Sequence, residues 1–130
     1  LKIKSIMIKL LDKPKAINYK KNKFISYSEA INEATKQAMI LSKDVVGKEV
    51  IVPVETFIAT GMAVHLVGAI PVFAEISETT LCLDLQDVKK KVTKRTAGVI
   101  LVHMAGMITP DAEKFRSFCV EHGFFSLLLY

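Results

Sequence analysis

The sequence predicts an α/β fold of three layers: a mostly parallel sheet with flanking helices. Three observations predict it. Short apolar runs at 49–52, 71–76, 97–103 and 124–129 show little polar alternation, as strands covered on both faces do. Stretches with helical start and stop signals separate these runs. The resulting order is helix, then strand–helix three times, then strand, which argues for a parallel sheet with right-handed crossovers. Such sheets carry ligands at their carboxyl ends, in the strand-to-helix loops.

Each element has a local cause. Ser26, Tyr27, Ser28 and Glu29 have the spacing of a capping box. Ile31, Ala34, Ala38 and Leu41 then form one apolar stripe, which predicts a helix over 27–43. Gly47 closes the connection to a strand over 49–52, with Pro53 at its end, where a missing amide donor is tolerated. Thr56 is the candidate N-cap of a helix over 57–67. Gly68 ends that helix, because a residue without Cβ takes the left-handed cap easily. The second strand is expected at 71–76. Asp84 caps a helix running through Val88 to Val92. Lys89, Lys90, Lys91 and Lys94 gather toward its C-terminal end, where the helix dipole favours cations. The third strand has its centre at 99–102. Thr109, Pro110 and Asp111 start the next helix, with proline at the first helical position and an acid in the first turn. Ala112, Phe115, Phe118 and Cys119 line its buried face, and His122 and Gly123 stop it before the fourth strand.

Composition bounds the class. A chain of 130 residues, 51% apolar and 24% charged, fits one folded domain. No apolar stretch reaches the roughly 18 residues of a membrane span, and the first residues do not read as a signal peptide. The chain starts at Leu1, which leads us to expect a fragment or a processed product. Cys82 and Cys119 give neither a disulfide framework nor a metal-ligand spacing, so reduced thiols in a cytoplasmic protein are expected. The net charge of +5 is unevenly spread: residues 1–24 carry eight lysines against Asp12 alone, leaving −2 for the rest. The expected division is a basic N-terminal segment over 1–25 and an α/β domain over 26–130. Within the segment, Ile3, Ile6, Met7, Leu10 and Leu11 fall near helical spacing before Pro14. It could bind an acidic surface, or be a solvated arm. No aromatic RNA-binding motif accompanies it, so nucleic acid is not an expected partner.

The stretch from Gly47 to Gly123 resembles part of the large domain of the DegT/DnrJ-type sugar aminotransferases, pyridoxal-phosphate enzymes of fold type I. The matching residues are Gly47-Lys48-Glu49-Val50-Ile51-Val52-Pro53, then Thr56-Phe57-Ile58-Ala59-Thr60 through Val64, then Gly68 to Ile76 with Glu75 in place of the usual Asp. Thr80-Leu81-Cys82-Leu83-Asp84-Leu85-Gln86-Asp87-Val88 and the segment from Thr96 to Gly106 follow in order. The resemblance implies that Phe57 is the aromatic residue that stacks on the pyridine ring of pyridoxal 5'-phosphate; read without it, Phe57 is a core aromatic at a helix start. It also implies that residues 26–130 are a partial aminotransferase-like domain.

Departures from the pattern are equally specific. Where the family carries a Ser-Gly-Thr turn for the cofactor phosphate, this chain has Ser28-Glu29-Ala30, which sets a carboxylate where a phosphate would sit. The family's Asp that pairs with the pyridine nitrogen falls at about Leu129. The Schiff-base lysine has no recognisable match. The resemblance therefore implies a transferase of amino groups from glutamate or glutamine to keto-sugar nucleotides, serving polysaccharide or amino-sugar biosynthesis. It implies a homodimer for the parent enzyme; the departures imply an isolated chain that neither binds the cofactor nor turns over. A reading of another class is a non-catalytic remnant that binds or oligomerises through exposed surface. His103, at the carboxyl end of a strand, is a structural or site-lining candidate; His65 and His122 have packing and dipole explanations. No catalytic residue and no metal site is expected, and Glu49, Glu55 and Glu75 do not form a recognisable acid/base pair.

Overall fold

A computed structural model describes residues 45–129 of the protein. The predicted helix over 27–43, its capping box, Ser28 and the basic segment over 1–25 lie outside the described residues. Strands β1 (Glu49–Pro53), β2 (Ile70–Ala74), β3 (Thr96–Val102) and β4 (Phe125–Leu129) form one sheet in the order β2-β1-β3-β4, and every neighbouring pair is parallel. Helices α1 (Ala59–Leu66), α2 (Leu85–Lys91) and α3 (Ala112–His122) connect them.

The unalternating apolar runs have a direct cause. All five residues of β1 are buried, because it is an inner strand with helices over both faces. Ile51 of β1 and Val99 and Leu101 of β3 point into one core, with Leu85 and Val88 of α2 and Phe115, Phe118 and Cys119 of α3. Val50, Val52 and Ile100 point to the other side, where they meet Ala63 and Val64 of α1. Two adjacent strands so placed have no face left for polar residues.

Local signals decide the ends. Asp84 caps α2 by accepting from the Gln86 N–H at 2.8 Å. Gly68 and Gly123 adopt left-handed conformations, φ +77° and +69°, just past α1 and α3. Thr56, by contrast, is not the cap of α1. The helix starts at Ala59 behind Ile58, whose side chain caps nothing. The Thr56 hydroxyl is taken by that of Thr60, 2.9 Å away, and a tighter turn from Phe57 O to Thr60 N–H leads into the helix. The second strand stops at Ala74, short of the expected Ile76. By then the chain has turned: Ile76 bridges Leu83 in antiparallel fashion, and the Asp84 N–H donates to Glu75 O. Pro110 precedes α3 by two positions. Thr109 starts that helix, its hydroxyl accepting from the Asp111 N–H and its carbonyl from the Ala112 N–H.

One close approach shapes the β3–β4 pair. Gly98 stands opposite Phe125 in register, and a Cβ built on Gly98 would fall 2.4 Å from the Phe125 ring. The ring lies across the strand where the side chain is missing.

Candidate functional site at the carboxyl rim

The strand order fixes where a ligand can sit. From β1 the chain crosses to β2 on one side; from β3 it crosses to β4 on the other. The connections part at the carboxyl ends of β1 and β3, the switch point at which open α/β sheets take ligands. Two loops border this crevice: 54–58 after β1 and 103–111 after β3.

Phe57 lies in the first loop. It is 50% exposed and belongs to neither core, so it is not the core aromatic that the bare sequence allows. Its carbonyl accepts from the Thr60 N–H at 2.9 Å, which ties its backbone to the start of α1. Leu129 ends β4 on the α1 side of the sheet and packs against that core, partly buried. His103 directly follows β3 and is 2% exposed. Its N–H donates to Leu129 O at 2.8 Å, and its Nδ1 accepts from the Thr109 N–H at 3.4 Å.

The other histidines are elsewhere. His65 is exposed on α1 and borders an apolar cleft of about 270 Å³ between α1 and β2, with Val54, Ile58, Met62 and Phe73. The Nδ1 of His122 contacts Phe118 O at 2.9 Å, and its ring stacks on Phe124 with centroids 5.3 Å apart. Among the described residues no cluster of three His, Cys, Asp or Glu could hold a metal. Cys82 and Cys119 are both buried and free. No described helix is long and apolar enough to cross a membrane. A larger concavity, about 780 Å³, lies between α2 and α3, lined by Lys89, Lys114, Phe118 and His122 among others, and shares no residue with the crevice loops after β1 or β3.

Glu49 has a part that the sequence alone does not announce. It opens β1, 4% exposed, and accepts from the Thr93 hydroxyl and the Arg95 guanidinium. The Thr93 hydrogen bond, then that of Arg95 and its charge, outweigh burial and hold the Glu49 carboxyl below the usual carboxylate range. The group sits at the amino end of β1, opposite the crevice, so its role is structural. A charge inside an apolar strand run was the signal that could have found it. Asp87 is shifted the same way, first by the Glu75 backbone N–H and then by Lys91. Glu75 meets Asp87 through that backbone N–H, at 2.8 Å, and not through its carboxylate.

A parallel sheet in this order, with helices on both sides and a switch point at its carboxyl rim, is the architecture of aminotransferases of fold type I. Crystallised 3-amino-5-hydroxybenzoic acid (AHBA) synthase superposes with a TM-score of 0.71 at 32% identity, over 75% of this chain and 25% of that one. The PLP-form of the putative sugar aminotransferase Spr1654 from Streptococcus pneumoniae gives 0.64 at 27% identity, over 73% and 24%. The chain belongs to the DegT/DnrJ/EryC1/StrS aminotransferase family, whose sequence model matches residues 19–127. It is 42% identical over 79 residues to GDP-perosamine synthase of Vibrio cholerae, covering 61% of this chain and 21% of that protein. It is 45% identical over 76 residues to L-glutamine:2-deoxy-scyllo-inosose aminotransferase of Streptomyces lividus, covering 58% and 18%. These matches span about a fifth of the relatives' length.

The described residues fit pyridoxal phosphate only in part. Phe57 sets a half-exposed aromatic side chain at the rim, of a kind suited to a flat heteroaromatic partner. At the end of β4, where a carboxylate would be needed to hold a pyridine nitrogen protonated, Leu129 presents carbon. Among the described residues the donor set is incomplete.

Proposed function

We propose that this chain forms part of the large domain of a pyridoxal-phosphate-dependent aminotransferase acting on a keto-sugar nucleotide, with an amino acid as donor, in the cytoplasm. Family membership and the relatives' activities support the reading. The observation that carries it is Phe57, half-exposed beside the switch point rather than packed in a core. When bound, the cofactor supplies the electron sink for amino-group transfer. Phe57 would hold its plane by stacking; Leu129 would give its ring nitrogen no charge partner. The isolated chain therefore does not catalyse transamination.

Two measurements test this. Titration with millimolar pyridoxal phosphate should shift the Phe57 ring resonances in fast exchange, without a tight complex; an unmoved Phe57 defeats the stacking role. Assay with a nucleotide-activated keto-sugar and glutamate or glutamine should show no turnover; a full rate overturns the proposed inactivity. The division proposed with it, a basic segment over 1–25 and a domain over 26–130, predicts that brief trypsin digestion leaves a product starting near residue 26.

A second reading, a non-catalytic module that self-associates, is favoured by one observation. Val54, Ile58, Met62 and Phe73 expose apolar surface around the α1–β2 cleft, and Leu128 does so on the outermost strand.

A further inference from the structure

Two buried side chains outside the proposed chemistry reach the same rim loop. Loop 104–109 opens with a 3-10 turn, Met104–Gly106, in which Ala105 (φ 51°) and Gly106 (φ +79°) are both left-handed. For alanine that conformation costs roughly 1–2 kcal/mol and persists only where the surroundings impose it. Two of the loop's large side chains do not impose it: Met107 is 48% exposed and Ile108 66%, while Met104 is half-buried. The holding contacts come from beneath. The Nδ1 of His103 accepts from the Thr109 N–H at 3.4 Å, six positions further along the chain. The thiol of Cys82, 0% exposed, donates to Met107 O at 3.4 Å. Thr109 also starts α3 through its hydroxyl and carbonyl. One imidazole thus ties the end of β3 to both the loop and the next helix.

We propose that His103 and Cys82 are positioning residues, which together hold loop 104–109 as a fixed wall of the crevice at the carboxyl ends of β1 and β3. Both are buried, and these two contacts run to the loop backbone. An accepting Nδ1 requires the ring proton on Nε2. Buried polar contacts that fix a loop from below are how a site keeps its geometry before a ligand arrives. The inference goes beyond the aminotransferase reading and its test needs no cofactor, so either can fail alone.

The experiment combines imidazole nitrogen NMR on the native chain with amide exchange in four variants. The spectra should show His103 as the Nε2–H tautomer. His103→Leu should speed exchange at Thr109 about fivefold, the equivalent of one net hydrogen bond. His103→Asn, whose side-chain carbonyl can accept in place of Nδ1, should restore it. Cys82→Ala should speed exchange at Gly106 and Met107, and Cys82→Ser should not. A proton on Nδ1, equal loss in the Asn and Leu variants, or unchanged exchange in His103→Leu and Cys82→Ala would each overturn the proposal. If His103→Leu does not fold, the native tautomer and the Cys82 pair decide it.

Discussion

Two single residues show how burial and hydrogen bonding set charge states in this fold. Glu49 ionises more readily folded than unfolded, because the Thr93 hydroxyl and Arg95 stabilise its carboxylate. A lowered folded pKa gives stability that is complete above the unfolded value, near 4.5, and is lost as pH falls through the folded one. Glu49→Gln should therefore be less stable than the native chain at pH 7, and the gap should narrow toward pH 3; urea melts at both pH values check this. Cys119 moves the other way, burial pushing its thiol up to about 11 from 9.0. Below pH 9 this costs nothing, and between 9 and 11 the unfolded chain ionises first, so stability falls with rising pH. Iodoacetamide at pH 8 should modify Cys119 only as fast as the protein opens; rapid labelling of the folded chain would contradict its buried, neutral state.

At the level of elements, short helices depend on their ends. Helix α2 has seven residues, and Asp84 provides its N-terminal cap. Asp84→Ala should cost about 1 kcal/mol, read as a lower urea midpoint with unchanged slope. The strand pair β3–β4 depends on Gly98. Gly98→Ala drives a methyl group into the Phe125 ring and should cost about 1–3 kcal/mol. In a Phe125→Ala background the same change should cost far less, a coupling that a double-mutant cycle measures. Strands were legible because strands with two covered faces need unbroken apolar runs, and Gly68, Asp84 and Gly123 mark helix ends through conformation or a single hydrogen bond. The start of α1 was not legible: Thr56 has the right chemistry for a cap, but the hydroxyl of Thr60, one turn on, claims it.

Across the whole molecule, the sheet presents β2 on one edge and β4 on the other among the described residues. Strand β4 carries neither charge nor proline, and Leu128 is 39% exposed, so it lacks the usual guards against edge pairing. If the second reading holds, sedimentation should show a mass that grows with concentration, and Leu128→Lys should lower it. The parallel class and the position of Phe57 after the first strand could be read in the residues. The order of strands could not, since the contacts that set it join residues far apart in sequence. The supports of the rim were hidden for the same reason: His103 to Thr109 and Cys82 to Met107 become partners only once the loop is closed. The hollow at Gly98 has a consequence for fidelity of assembly. Sliding β4 by one position would turn Phe125, Leu127 and Leu129 toward α2 and α3; sliding it two positions forward or back would set Leu127 or Gly123 over the gap that the phenyl ring fills. A glycine and a phenylalanine therefore act as key and keyway, and their fit in shape disfavours mis-registered pairings.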